Sequence, residues 1–394
     1  MTGDTDVAPP QGAGPPLGSE GGPEGGGAAG PGWRGALLLL GIGGVLAFLL
    51  AEAFLRVFAP QNLEPHPPHL YAADDEIGFV LTPGLDGRSR NPEWDVAVTT
   101  NRLALREREI GPKAPGERRL LFLGDSFTFG LGVEAEEAFP RRVEALLGAG
   151  PPPLRVVNAG VPGYGTRHAL AWWQRIDDAV DADALLLAFF LGNDFYDNVG
   201  LNEFEIVGGF RVPKRVHGGR AQLSARLGLP VRWKVALRTN LHTYALAMNG
   251  WAALLAWGGW TDLEEMYAVY RREPDPTMRE ATEATRQALA RLAGRARAAG
   301  TPLGLVLIAD TRVRPAIAAR PDLDFERPAR LVTSMAAELD LPVLDLSEPF
   351  SDTDGKIHPV DGHWNATGHA LAAEAIAREL RGGRLARVGA ALGR

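Results

Sequence analysis

Leu120-Leu121-Phe122-Leu123-Gly124-Asp125-Ser126-Phe127-Thr128-Phe129-Gly130 is the stretch from which the rest of the chain is read. Leu120 to Leu123 has the length and composition of a buried strand. The run stops at Gly124, where the missing side chain lets the backbone turn sharply. Ser126 then stands at the strand's carboxyl end, and in open parallel α/β sheets that edge is where ligands bind. Taken alone, Ser126 reads as a turn serine before it reads as a nucleophile. Residues far away in sequence have to decide.

Working outward, a regular alternation begins at Arg118. Strands are expected at Leu120–Leu123, Leu154–Asn158, Ala184–Leu191, Leu303–Ile308 and Pro342–Leu346. Helical patterns fall between them at Glu136–Leu147, Arg167–Ala179, Thr277–Ala299 and Arg327–Leu339. A last helix is expected over Ala366–Leu380, with Asn365 as its N-cap. Near-continuous apolar strands alternating with helices predict a parallel sheet covered on both faces. Right-handed crossovers make it an α/β fold of three layers, α/β/α, doubly wound.

Phe195 to Asp275 breaks this rhythm and is far longer than an ordinary loop. It carries Trp233, Trp251, Trp257 and Trp260, which argue for an ordered insertion. A packed helical cap is the expected role for most of them, with a groove for sugar or acyl groups as the competing one. Ala252–Trp260 is too short for a membrane span.

Upstream, residues 1–32 are rich in Gly and Pro and show no apolar periodicity, the signature of a disordered tail. Residues 33–59 change character. Gly35 to Ala51 holds no charged residue, and Trp33, Arg34 and Arg56 flank it as interfacial anchors do. The expectation is a single transmembrane helix and a lipid bilayer as partner. The competing reading is a signal peptide cleaved at Ala51-Glu52-Ala53, but the preceding segment is long and acidic where a signal peptide is short and basic. Arg34 and Arg56 balance, so charge does not orient the helix. Residues 60–117 read as a tether and a small β element, with strand-like runs at Ile77–Thr82 and Val96–Thr100. The main domain is expected over 118–385, the insertion over 195–275, and a short tail over 386–394.

Composition removes several functions. With a net charge of −7 the chain has no basic footprint for nucleic acid. It has no cysteine, hence no disulfide framework, thiolate zinc site or cysteine nucleophile.

The remaining polar signals all follow strands. Asn158-Ala159-Gly160-Val161-Pro162-Gly163-Tyr164-Gly165 comes after the second, Gly192-Asn193-Asp194 after the third, and Asp361-Gly362-His363-Trp364-Asn365 between the fifth and the final helix. A parallel sheet brings those ends to one edge. The chemistry they suggest is acyl transfer. A serine hydroxyl attacks only when a base takes its proton, and His363 is the natural base for Ser126. Asp361 is placed to orient the ring. The backbone N–H groups of Ser126 and Gly163 and the amide of Asn193 are the candidate oxyanion donors. No metal or organic cofactor is called for.

In these blocks the chain resembles the SGNH (GDSL-type) hydrolase superfamily. Gly124-Asp125-Ser126, the segment through Gly163, Gly192-Asn193-Asp194 and the His363 block correspond in order to the family's four blocks, over about 118–380 without the insertion. The resemblance implies the flavodoxin-like SGNH fold, Ser126, Gly163, Asn193 and His363 as site residues, and an extracytoplasmic location for an anchored member. It implies an acylated carbohydrate or another small ester as substrate. One departure stands out: the usual D-x-x-H is D-x-H here, followed by W-N. That form is similar to the SGNH-like alginate O-acetyltransferases and many membrane-anchored SGNH proteins. It sets transfer to an envelope polysaccharide beside hydrolysis. A non-catalytic envelope protein holding a glycan in the same pocket is the alternative from another class.

Other motifs carry less. Gly130-Leu131-Gly132-Val133-Glu134-Ala135 imitates a dinucleotide fingerprint but begins too far beyond its strand. No G-x-S-x-G elbow surrounds Ser126. His358, His363 and His369 fit no standard zinc spacing. His369 is expected on the last helix as a solvated or capping residue, and His358 as a loop histidine.

Overall fold

The computed structural model describes residues 32–61, 63, 66–91, 93–199, 204–213, 230–257, 267–347, 350, 357 and 362–394. The tail expected over 1–32 lies outside the described residues up to position 31. The chain divides into two compact units, Met1–Ala51 and Glu52–Arg394. Helix α1 (Trp33–Phe58) has 26 residues, about 39 Å at ~1.5 Å each. Leu37, Leu40, Ile42, Val45 and Leu50 are all more than half exposed, where a helix of a soluble domain would bury one stripe. By length and composition α1 can cross a membrane.

In the second unit two antiparallel hairpins come first: β1 (Tyr71–Asp74) with β2 (Gly78–Leu81), and β3 (Asp86–Arg90) with β4 (Asp95–Thr99). Then follow β5 (Arg118–Gly124), α2 (Ser126–Phe129), α3 (Phe139–Leu147), β6 (Leu154–Gly160), α4 (Thr166–Val180), β7 (Ala184–Phe190) and α5 (Asp194–Asp197). The insertion supplies a hairpin, β8 (Phe204–Val207) and β9 (Phe210–Pro213), and the helices α6 (Val231–Asn240) and α7 (His242–Trp257). The chain continues through α8 (Pro276–Ala299), β10 (Leu303–Ile308), α9 (Arg314–Ala318), α10 (Arg327–Glu338), β11 (Val343–Asp345), α11 (Ala366–Gly382) and α12 (Ala386–Ala391).

The central sheet has the order β11-β10-β7-β5-β6, and every pair in it is parallel. β7 and β10 bury both faces, as does β5 beyond Arg118, which is why their runs are near-continuously apolar. On β5, Leu121 and Leu123 join a core with Trp172, Trp173 and Ile176 of α4 and Leu289 and Leu292 of α8. Leu120 and Phe122 face the other way, into a core with Phe139 and Val143 of α3 and Ile376 and Leu380 of α11. The result is the expected three-layer, flavodoxin-like doubly wound fold. From β5 the chain steps outward to β6, then returns past β5 to build β7, β10 and β11. The strand order therefore reverses beside β5, and a cleft opens beyond the carboxyl ends at such a point.

Two findings depart from the sequence reading. The insertion is not simply a helical cap, because it opens with the β8–β9 hairpin. Trp233 and Trp251 are 56% and 37% exposed, so they do not form a packed core there. Trp260 and the side chain of Trp257 lie outside what is described. His369 is not solvated, and the helix end it caps is that of α3 rather than its own. It is buried between α11 and α3, its Nδ1 accepting from the Phe139 N–H at 3.2 Å and its ring stacked on Phe139. The cause is helical geometry, since His369 shares the inward face of α11 with Ala372, Ala373 and Ile376.

Candidate active site

The site is built around Ser126, the first residue of α2. Asp125 is the N-cap of that helix, and its Oδ1 accepts from the Phe127 N–H at 3.0 Å. Gly124 is tightly enclosed, since a Cβ there would lie 2.8 Å from the Ala188 carbonyl oxygen and strike Thr128. Gly130 closes α2 in the left-handed region at φ 81°. Buried Asn158 fastens α2 to β6, donating to the Thr128 carbonyl at 2.7 Å while accepting from the Gly160 N–H at 3.0 Å. The serine is thus presented from a rigid turn.

His363 reaches it from the other end of the chain, with Nε2 2.8 Å from Ser126 Oγ. Trp364 and Asn365, next along the chain, position its loop. Asn365 N-caps α11, its Oδ1 accepting from the Thr367 and Gly368 N–H groups at 3.1 and 3.0 Å. Trp364 is buried and stacked on Phe350. The Phe127 ring packs against both His363 and Trp364, with centroids 5.1 and 5.0 Å away. Asp361 and His358 lie outside the described residues.

The two other expected donors stand beyond β6 and β7, the strands flanking β5. Val161-Pro162-Gly163-Tyr164 forms a turn closed by Tyr164 N–H to the Val161 carbonyl at 3.0 Å, with Gly163 at φ 86°. Proline second and a positive-φ glycine third are what a type II turn requires. Asn193 N-caps α5, and its Nδ2 donates to Asp197 Oδ2 at 2.8 Å. The amide nitrogen carries two protons, so one remains for another acceptor.

Two acids, Asp125 and Asp194, are buried beside the expected site residues. Burial pushes the Asp125 carboxyl up to about 6, while the Phe127 N–H and the nearby His363 pull the other way. Asp194, also buried, is pushed well above the usual carboxylate range by burial and by Asp125 and Asp197. One Asp194 oxygen accepts from the Phe190 N–H at 3.0 Å. The sequence reading names neither acid as a site residue. The Asp following Gly124 and the Asp following Asn193 are the signals, and each is legible only as a turn or cap residue.

Two arginines also enter the site unannounced. The Arg312 guanidinium fills the space where Gly362 would carry a Cβ, and it is clamped by Asp310 at 2.9 and 2.8 Å. On the other flank the guanidinium of Arg211, from β9, fills the space where Gly163 would carry a Cβ.

The arrangement can take a proton from a serine hydroxyl at a sheet edge lined with N–H donors. The GDSL-like Lipase/Acylhydrolase family matches residues 122–371. No curated protein matches the chain. Among solved structures it is similar to TesA, with 15% identity over 67% of this chain and 98% of that one and a TM-score of 0.38. It is also similar to the psychrotrophic esterase EstA from Pseudoalteromonas sp., with 11% identity over 67% and 97% and a TM-score of 0.37. A third is the acetylxylan esterase Axe2 from Geobacillus stearothermophilus, with 18% identity over 67% and 94% and a TM-score of 0.35.

Proposed function

Because the chain belongs to the GDSL-like lipase/acylhydrolase family, we propose that it is a serine esterase cleaving ester-linked acyl groups, O-acetyl among them, through an acyl-serine intermediate. The observation that carries this is the 2.8 Å contact between Ser126 Oγ and His363 Nε2. Distance and atom pairing are those a general base needs.

His363 takes the Ser126 proton as Oγ bonds to the ester carbonyl carbon. The negative oxygen of the tetrahedral intermediate is held by the Ser126 and Gly163 N–H groups and the free amide proton of Asn193. The imidazolium returns the proton to the departing alcohol and leaves acyl-Ser126. Water, deprotonated by His363, then releases the acid. Asp361 is proposed to hold the imidazole in the required tautomer, the part an acid plays in such triads.

Around this centre we place a single-pass anchor over 33–59, a tether with a small β element over 60–117 and a catalytic domain over 118–385 outside the cytoplasm. The apolar surface of α1 supports the anchor. The short block Asp361-Gly362-His363-Trp364-Asn365 favours one second reading, in which a glycan hydroxyl replaces water and the product is an acylated polysaccharide.

The test is made on the full chain in detergent micelles. Wild type is expected to react with a fluorophosphonate probe and to release acetate from an acetyl ester. Ser126→Ala is expected to lose the label and to lower kcat by roughly 10³-fold or more, since the nucleophile is removed. An esterase rate unchanged in Ser126→Ala overturns the reading. Added glycan acceptor separates the second reading, which requires acylated glycan in place of free acid.

A further inference from the structure

Arg211 comes from the hairpin outside the α/β layers. Gly208 and Gly209 turn that hairpin with φ of 60° and 79°, the pair of left-handed residues that a two-residue turn asks for. The hairpin is seated on the small β element, with the Tyr71 N–H donating to the Gly209 carbonyl at 3.1 Å. Arg211 is held by aromatic faces, its guanidinium carbon 4.2 Å from the Phe204 ring centroid and 5.3 Å from that of Phe79. Phe79 is itself pinned through its carbonyl, which accepts from the Tyr164 hydroxyl at 2.7 Å. Tyr164 directly follows Gly163. One chain of contacts therefore joins the hairpin, the β1–β2 pair and the expected oxyanion turn.

Among the described residues, the guanidinium so placed keeps one buried donor open. Its Nη1 is buried, and among the described residues no acceptor meets it. Arg312 across the site is different, because Asp310 already takes its charge on two oxygens. Buried N–H groups of native proteins are nearly always satisfied, so one left open beside the expected oxyanion turn calls for a partner from outside the chain, a water, an ion or a ligand atom. A planar, permanently charged fork selects a carboxylate or phosphate above neutral acceptors.

We propose that Arg211 is a specificity-determining residue, and that the esters taken by this site carry a carboxylate or phosphate close to the scissile bond. The proposal rests on the esterase reading and names its substrate class. Nη1 of Arg211 binds an oxygen of the anionic group while Gly163, beneath it, serves the reacting carbonyl.

The experiment compares matched esters with the full chain in detergent micelles. One series has the charge on the alcohol side: 4-acetoxybenzoate and 4-acetoxyphenyl phosphate against 4-acetoxybenzamide. The other has it on the acyl side: mono-4-nitrophenyl succinate against 4-nitrophenyl butyrate. Wild type is expected to prefer at least one anionic ester to its neutral match by about 10- to 100-fold in kcat/KM, the span of a charge-assisted hydrogen bond. Arg211→Gln is expected to bring that ratio near one, and Arg211→Lys to leave it intermediate. A wild-type ratio near one in both series overturns the proposal, whether or not any variant folds. So does a preference that survives in Arg211→Gln, or an equal loss on charged and neutral esters in that variant. Turnover of the neutral esters and fluorophosphonate labelling of Ser126 report separately on the esterase reading, so the two failures are told apart.

Discussion

Ser126 Oγ has two hydrogen-bond partners, His363 Nε2 at 2.8 Å and Asp125 Oδ2, to which it donates, at 3.4 Å. Above its pKa, Asp125 is a buried charge close to the imidazole. Its carboxyl is raised from 3.8 to about 6, so between those values the folded state holds a proton that the unfolded state has lost. Stability therefore falls as pH rises through that window, and above it the cost is fully present. Asp125→Asn keeps an acceptor for the Phe127 N–H and removes the charge. It is expected to stabilise the protein at pH 7.5 by on the order of 1–3 kcal/mol while lowering kcat, the trade seen where a site stores unfavourable electrostatics. Urea unfolding and ester turnover of the same preparation check both halves, and a destabilised variant contradicts the argument. At this scale the sequence shows Ser126 and His363 by residue type and order. It does not show Arg211, whose place over Gly163 depends on how a hairpin docks.

The elements that hold the site in place are tied together by one buried arginine. Arg106 donates from Nη1 to the Gly130 and Phe129 carbonyls at 2.6 and 3.2 Å, and from Nη2 to those of Ala97 and Val133 at 2.7 and 2.8 Å. It thereby fastens β4 to the loop that leaves α2. Burial lowers its pKa to about 10, which still leaves it charged at neutral pH. Arg106→Leu retains apolar bulk but strips the donors from these carbonyls. The expected loss is roughly 3 kcal/mol or more, because each buried group left unpaired costs about 1–3 kcal/mol. A denaturant midpoint within error of wild type would contradict that. Elements with strong local signals are legible in the sequence. β7, β10 and Leu120–Leu123 within β5 are continuous apolar runs, Asn365 sits where an N-cap should, and Val161-Pro162-Gly163-Tyr164 spells its turn. The β8–β9 hairpin had a signal too, Gly208-Gly209 between Phe204-Glu205-Ile206-Val207 and Phe210-Arg211-Val212. It is hidden inside a segment whose tryptophans suggest helices.

One source of acid sensitivity in the second unit is a buried histidine of α11. His369 is buried between α11 and α3, and burial lowers its pKa from 6.5 to about 3. Between those values the unfolded chain binds a proton that the folded one refuses, so stability falls as pH drops below 6.5. From pH 6.5 to 5 the loss from this group is roughly 1–2 kcal/mol. His369→Gln keeps an acceptor without titrating and is expected to show a correspondingly smaller drop in unfolding free energy between pH 7.5 and 5. An identical drop in wild type and variant counts against this assignment. The reversal of strand order at β5 belongs to the same scale, since it opens the cleft in which Ser126 and His363 meet. By itself the sequence determined the layers, the apolar helix α1 and the order of the polar blocks, because apolar periodicity, turn residues and caps act within a few neighbours along the chain. Only the tertiary structure decided that His369 is buried and neutral, that Arg106 joins β4 to the serine loop, and that Arg211 covers Gly163. Those outcomes depend on which surfaces pack together and what charge they exclude from water, and no local pattern of residues encodes that.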